Sequence, residues 1–567
     1  MRVCRSATRA RETAVWFFRA IALDLDGTLA VGDKLSPGVL DSIDAARADH
    51  SVLLVTGRTR HDLERVFPGL VGHFDALVTE NGAVLHTRDG VRPLHDPVDP
   101  AVGKALADRG VGVGRGDVLL AIDGRDGAAA TEVISSLGLD YQVVHNRASA
   151  MVLPGGVTKG SGLLSALDEL GMSAHNTIAV GDAENDLSLL HAAEVGAAVR
   201  NAVPSLAEHA DLVLDEPDGA GVIALLTGSL LRGDHRLCPT RRWVSIGRFE
   251  DGAPTLLPGS QGSVLIAGET GAGKSYLAGL LAERWIDAGY SVLVVDPQGD
   301  HLGLAERPGV HLIDAASHLP APHDLLAVLR PRHASVVLDL SGLDIDAQLS
   351  YLKRLPEAIA AERTRFGIPH WVIYDEAHQR GWLDDYPAIV GTVAEAGSCL
   401  VTWRPELVPE DIRRTCDITL TVTAPARTLL GDSQNLHGTL SMAGQTRPFQ
   451  IGERVSAHVR HWHKYTATPL PSHRRFYFHN RDPEDPIASA ATLEQFSRHL
   501  RDCDLVTLEY HLARRDFSRW ITHTLADHTL GAELDRLEDD LMAQRAASLE
   551  RSRQQIRQAI DRRYLRG

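Results

Sequence analysis

The chain has 567 residues, 44% of them hydrophobic and 23% charged, with a formal net charge of -16. At roughly 100 to 200 residues per domain, that length implies about three or four folded units, and no window approaches the ~18 uninterrupted apolar residues of a membrane-spanning helix. The acidic balance argues against nucleic-acid binding over the whole surface, which needs clustered Lys and Arg, and leaves only a local basic channel open. Five scattered cysteines (Cys4, Cys238, Cys399, Cys416, Cys503) form no C-x-x-C pair. Neither a disulfide framework nor a cysteine metal site is therefore expected, and a reducing cytoplasm fits. Lysine occurs only at Lys34, Lys104, Lys159, Lys274, Lys353 and Lys464, so a lysine inside a motif carries unusual weight.

In chain order, residues 1–17 are basic, with an apolar piece shorter than the ~7 to 15 residues of a signal-peptide core, and read as a frayed extension. AIALDLDGTLA, from Ala20 to Ala30, is a β-prone apolar run that delivers Asp24 and Asp26 to its end, with Gly27-Thr28 as a turn. Carboxylates two apart on a strand point to the same side, where a pair can hold a hard cation and one member can act as nucleophile. An ordinary strand leaving the core through an Asp-Gly turn would look the same, and three later pieces decide the matter. SVLLVTGR ends in Thr56-Gly57, whose hydroxyl and backbone N–H suit a phosphate oxygen. GVTKGSGLLSAL places Lys159 just before a helical pattern, where an ammonium can neutralise a phosphate and a carboxylate nucleophile together. NTIAVGDAENDLSLL is a third strand, ending in Gly181-Asp182, with Asn185 and Asp186 close behind. Carboxylates converging in one cleft repel one another unless a divalent ion and Lys159 offset them, so the site is expected to be inactive without metal.

Residues 18–227 thus resemble the haloacid dehalogenase phosphatases, and specifically the Cof-like subgroup, through DLDGT, VTGR, TKGSGL and GDAENDL. VTENGAVL and VGAAVRNAVPSLAEHADLVL support the likeness. The resemblance implies a Rossmann-like α/β core in which Asp24 attacks phosphorus, while Asp26 protonates the leaving oxygen and later activates water. Thr56 and Lys159 would hold the phosphoryl group. Asp24, the backbone carbonyl of Asp26, and Asp182 would bind Mg²⁺, supported by Asn185 and Asp186. The family also places a small α/β cap here, at about residues 86–150, closing over the substrate. Its small size favours a compact phosphorylated metabolite such as phosphoglycolate or a sugar phosphate. His86, His95 and His145 in this insert read as surface histidines rather than substrate contacts.

Beyond a polar, Gly- and Pro-containing linker at 228–240, a second unit spans 241–465. SVLIAGETGAGKSYLAGLLAERW runs from a strand through a glycine loop into a helix with Leu277, Leu280, Leu281 and Trp285 on one face. The loop, Gly268, Glu269, Thr270, Gly271, Ala272, Gly273, Lys274 and Ser275, matches the phosphate-cradling pattern G-x-x-x-x-G-K-[ST]. Its glycines let backbone N–H groups approach phosphates, Lys274 reaches the outer phosphates and Ser275 can bind Mg²⁺. HWVIYDEAHQRG is an apolar strand ending in Asp375 and Glu376, the first to help hold Mg²⁺ and the second to polarise attacking water. GSCLVTWRP ends in Thr402 and Arg404, where a sensor of the terminal phosphate could stand. Together with SIGRFEDGAPTLLP, VLVVDPQGDH and VVLDLSGL, these pieces resemble the HerA and FtsK branch of P-loop ATPases. The resemblance implies ATP as ligand and a hexamer acting on a polymer. That family often shows T-Q-R-P where this chain has Thr402-Trp403-Arg404-Pro405, so the glutamine is absent. Arg404, Arg413, Arg414 and Arg427 are equal candidates for an arginine inserted into a neighbouring subunit's site.

In the last part, 466–567, apolar residues recur at three- and four-residue steps in TLEQFSRHL, LEYHLARRDFSRWI and LGAELDRLEDDL. This is similar to a small helical module found appended to other proteins, with Asp516-Phe517 and Trp520 as packing and capping residues. His461 and His463 read as part of a solvated basic loop rather than a metal site. The arginine-rich end reads as a solvated helix or oligomer contact rather than a DNA arm. The expectation is a cytoplasmic α/β protein: a Mg²⁺-dependent phosphomonoesterase fused to an ATP-hydrolysing domain. Two alternatives stand beside it, a hexameric translocase of DNA or protein with an accessory phosphatase, and a phosphatase gated by ATP binding. Intact Lys274 and Glu376 favour hydrolysis over passive binding.

Overall fold

The computed structural model describes residues 17–146, 149–269, 272–330, 334–377, 396–423, 436–456, 470, 472–480, 486–525, 528–543 and 549–561. Residues 1–16 of the expected extension, Thr270 and Gly271 of the glycine loop, Arg427, His461 and His463 lie outside them.

The first sheet is built from β1 (Ala20–Leu23), β2 (Ser51–Val55), β3 (Ala76–Thr79), β4 (Val84–Thr87), β5 (Gly90–Pro93), β6 (Thr177–Gly181), β7 (Val195–Ala198) and β8 (Leu212–Val213). Their spatial order is β8-β7-β6-β1-β2-β3-β4-β5. The first six of these are parallel neighbours, and β4 and β5 continue the sheet antiparallel. Both faces are covered, which explains why β1 and β2 read as unbroken apolar runs. Ile21 and Leu23 pack on one side with Val39 and Ile43, while Ala20 and Ala22 pack on the other with Leu163 and Leu167 of α1 (Lys159–Glu169). The hairpin β4–β5 belongs to this main sheet. His86 is consequently buried rather than on the surface, its Nε2 2.8 Å from Thr79 Oγ1. A separate four-stranded antiparallel sheet, in the order Tyr141–Asn146, Ser149–Pro154, Leu120–Asp123, Gly114–Arg115, is backed by helices Pro100–Asp108 and Gly127–Leu137. A short helix, α2 (Leu187–Ala192), follows the loop after β6.

The second sheet has 11 strands. Its centre is β9 (Ser263–Gly268), β10 (Val292–Asp296), β11 (Trp371–Tyr374), β12 (Ser398–Thr402) and β13 (Ile418–Thr423), parallel and ordered β13-β9-β12-β11-β10. Ser335–Asp339 and Val310–Asp314 extend it in parallel on one side. Four antiparallel strands from His437–Met442 to Pro254–Leu257 extend it on the other. Val264 and Ile266 of β9 face α3 (Lys274–Asp287), meeting Leu277, Leu280 and Leu281, whereas Leu265 faces the opposite cluster. Each such fully buried side chain contributes roughly 2 kcal/mol. Trp285 of α3 stacks on Trp371 of β11 with ring centroids 3.7 Å apart, which fixes the helix across the sheet.

The C-terminal part joins a two-stranded ribbon, Phe476–His479 with Pro486–Ala490, to five short helices around Phe476, Phe496, Phe517 and Trp520. No helix among the described residues is long and apolar enough to cross a membrane.

Candidate functional site

Three neighbouring parallel strands, β6, β1 and β2, end immediately before Asp182, Asp24 and Thr56. Ligands in such sheets gather outside the carboxyl ends of strands, so the register alone brings these groups to one edge. Lys159 enters from α1. Its position is set by a capping box, in which the Thr158 hydroxyl accepts from the Ser161 N–H and the Thr158 N–H donates to the Ser161 hydroxyl, both at 3.0 Å. The Lys159 Nζ then lies 2.5 Å from both Asp24 Oδ1 and Asp186 Oδ1. The other Asp186 oxygen accepts N–H bonds from Asp182 and Ala183 at 2.9 and 3.0 Å, which ties the GDAEND loop to the lysine.

All four side chains are buried. Burial pushes Asp24 well above the usual carboxylate range; Asp186 adds to this and Lys159 opposes it. For Lys159, burial alone would lower its value, but the carboxylates of Asp186 and Asp24 outweigh burial and hold the ammonium above the ordinary lysine value. Asp24, Asp182 and Asp186 each offer an oxygen within 4.8 Å of the others. An all-oxygen, concentrated negative donor set of this kind fits a hard divalent cation such as Mg²⁺.

Asp26 leaves the strand through a turn at Gly27, whose φ of 92° favours glycine. Its carboxylate is gripped by the Arg58 guanidinium at 2.7 and 2.9 Å, and Arg58 also reaches Asp33 and Asp62. Thr56 is buried, with its hydroxyl accepting from the Arg58 N–H at 3.2 Å, and Gly57 follows at the start of the loop. Asn185 Nδ2 lies 3.4 Å from Asn81 Oδ1, which brings the GDAEND loop beside the VTENG turn. A Cβ at Gly82 of that turn would overlap the Thr158 carbonyl, and one at Gly162 would overlap Gly82 itself. The glycines therefore allow the turn to back directly onto the segment carrying Lys159.

Sequence reasoning missed Arg58 and Glu80, although both stand inside runs it singled out. Glu80, at φ 54°, is buried and accepts N–H bonds from Asp117, Val118 and Leu119 at 2.7, 2.8 and 2.9 Å. One carboxylate thus latches the small antiparallel sheet to the main one.

In the second sheet, β9 runs into the glycine loop and Lys274 opens α3 behind Gly273, at φ 109°. Lys274 and Ser275 are buried, and Lys274 Nζ donates to the Glu269 carbonyl at 3.0 Å across the loop, beside Gly268 and Ala272. Two strands away β11 ends just before Asp375 and Glu376, with β12 and the buried Thr402 between them and β9. Asp375 accepts from the Glu376 N–H at 2.8 Å and lies 2.9 Å from His301 Nε2. Glu376 holds a φ of 52°, a conformation costly for a residue with a Cβ and concentrated at functional sites. His301, also unforeseen, is fully buried; burial would lower it, yet Asp375 and Asp296 raise it above the ordinary histidine value. Burial also pushes Asp296 up to about 7, although its carboxylate accepts N–H bonds from four residues, Gln298 to His301. Trp403, in place of the glutamine, lies beneath the Arg404 guanidinium at 4.3 Å. Arg414 pairs with Glu410 on its own helix.

Residues 21–106 and 131–226 match the haloacid dehalogenase-like hydrolase family, and residues 261–366 match the central domain of the helicase HerA. Among curated relatives, phosphoglycolate phosphatase 2 of Saccharolobus solfataricus is 30% identical over 214 residues, covering 36% of this chain and 90% of the relative. The phosphoglycolate phosphatase of Halorubrum lacusprofundi is 34% identical over 224 residues, covering 36% and 95%. A solved haloacid dehalogenase-like hydrolase from B. subtilis is 21% identical, covering 37% of this chain and 99% of that one, with a TM-score of 0.32.

Proposed function

Because the chain belongs, through its N-terminal part, to the haloacid dehalogenase-like hydrolases and carries a HerA-type domain behind it, we propose a Mg²⁺-dependent phosphomonoesterase joined to an ATPase. Its substrate would be a compact phosphomonoester of the phosphoglycolate or sugar phosphate type, as the names of its relatives suggest. We assign residues 18–227 to the phosphatase, 241–465 to the ATPase and 466–567 to the helical module. The observation that carries this reading is the Lys159 ammonium seated between Asp24 and Asp186, with Asp182 completing the acidic cluster.

Lys159 and the Thr56 hydroxyl hold the phosphoryl oxygens in line with Asp24, so that catalysis is mostly positioning and charge neutralisation. An Asp24 oxygen bonds to phosphorus as the bond to the leaving oxygen breaks, and Asp26 gives that oxygen its proton. Water then attacks the aspartyl-phosphate, loses its proton to Asp26 and releases phosphate and the Asp24 carboxylate. Arg58 holds Asp26 in place between these transfers. Asp24, Asp182, the Asp26 carbonyl and, through the loop, Asn185 and Asp186 would hold Mg²⁺, which would supply charge neutralisation at the phosphoryl oxygens. In the second unit Lys274 and the loop amides would grip the ATP phosphates, Ser275 and Asp375 would hold its Mg²⁺, and Glu376 would orient the attacking water.

Asp24→Asn is expected to abolish phosphomonoester hydrolysis with nucleotide hydrolysis intact, and Lys274→Ala to do the converse, followed separately as leaving-group release and ADP formation. Unchanged phosphatase activity in Asp24→Asn would defeat the assignment. A second reading, a ring-forming translocase, is favoured by the match to the helicase HerA domain. It requires ADP formation to rise severalfold on adding double-stranded DNA.

A further inference from the structure

Glu194 lies two residues beyond α2 in the first unit and is fully buried. Its carboxylate meets His175 Nδ1 at 2.8 Å within that unit, and accepts from the Ser260 hydroxyl at 2.5 Å and the Tyr290 hydroxyl at 3.1 Å in the second. Ser260 stands three residues before β9 and Tyr290 three residues after α3. One carboxylate therefore holds both ends of the strand–loop–helix segment that contains Lys274. The Tyr290 ring also stacks on His175, centroids 3.8 Å apart, and His370 Nε2 lies 3.0 Å from Asn176 Oδ1.

The same joint reaches the phosphatase site through α2. This six-residue helix, about 9 Å long, starts next to Asp186, which holds Lys159, and ends at the carbonyls of Leu190 to Glu194. Arg241 and Arg242, from the chain leading into the second unit, donate to those carbonyls: Arg241 to Ala193 and Glu194 at 2.9 and 3.1 Å, Arg242 to His191 at 3.0 Å. Arg241 also pairs with Asp211 at 2.7 Å. Close-packed interiors transmit displacement rather than absorbing it, and Glu194, Asn176 and the carbonyls at the end of α2 are each bound across the two units.

We propose that the Glu194 joint couples the two phosphate-handling sites, so that a nucleotide at Lys274 alters turnover at Asp24 by shifting α2 and, with it, Asp186 and Lys159. The proposal rests on the reading of both sites given above. Coupling is reciprocal, so a ligand of the phosphatase site changes nucleotide affinity by the same factor.

The test uses the full chain with Mg²⁺, a β,γ-imido ATP analogue that is not hydrolysed, and p-nitrophenyl phosphate, with nitrophenol as the readout. Nucleotide binding is followed in parallel with a fluorescent ATP analogue. The wild type is expected to change its phosphatase kcat/KM by about fivefold or more when the analogue binds. In Ser260→Ala/Tyr290→Phe, which removes two donors and leaves the Glu194 carboxylate paired with His175 and beside Arg242, that response disappears while basal turnover and nucleotide binding stay within about twofold of wild type. Binding without a change in wild-type turnover overturns the coupling and leaves the two-enzyme reading standing, as does a response that survives in the double variant. Absence of nucleotide binding overturns both.

Discussion

Lys159 is the residue on which the phosphatase site balances, a buried cation among three buried carboxylates. Lys159→Met removes the positive charge and keeps much of the bulk. Turnover is expected to fall on the order of 10²–10³, the loss typical of one charge-stabilising donor, and stability by about 3 kcal/mol, because the acids lose their partner. Millimolar Mg²⁺ should restore part of the stability by supplying the missing charge; denaturant unfolding with and without the ion checks this, and a variant as stable as wild type without metal contradicts it. At this scale placement was legible where it follows from the end of an element: Asp24, Thr56 and Asp182 just beyond strands and Lys159 at the start of a helix. Arg58, Glu80 and His301 were not, because their tasks are defined by partners 32 to 74 positions away, a distance across which no spacing rule operates.

Among the elements, the apolar runs delivering each motif were readable because both faces of a parallel sheet are buried. The hairpin β4–β5 falls largely within the insert expected at about 86–150, because its outer strand Gly90–Pro93, exposed throughout, carries little apolar signal. The C-terminal helices were legible from their periodicity, but the acid among them was not. Glu538 is buried in helix His528–Ala543 and accepts N–H bonds from Phe517 and Ser518 at 3.2 and 3.3 Å. Burial pushes its carboxyl from 4.5 up to about 7. Between those values the folded module keeps a proton that the unfolded chain has released, so its contribution is full below pH 4.5 and is lost as pH rises to about 7. Glu538→Gln, neutral throughout, should flatten the module's stability between pH 5 and 7; hydrogen exchange at the helix amides across that range measures it, and an unchanged slope refutes it.

On the scale of the whole molecule, the two halves meet through buried polar groups rather than a loose tether. Separating them would strip Glu194 of Ser260, Tyr290 and Arg242. Glu194→Ala is therefore expected to cost about 3 kcal/mol or more in the full chain and under ~1 kcal/mol in a fragment ending at residue 233, compared by urea unfolding. Equal costs would mean that the joint is not shared. None of this was visible beforehand: Glu194 and Ser260 are 66 positions apart, with the end of the first unit, a polar linker and the start of the second between them.

The scarcity of lysine has a practical side. Lys159 and Lys274 are enclosed, whereas Lys34, Lys104 and Lys353 are exposed. Reagents that acylate amines will modify those outer positions and spare both enclosed ammoniums. The protein can thus be dyed, biotinylated or tethered to a surface through its lysines with its chemistry intact, and a label found on Lys274 would report that the glycine loop had opened.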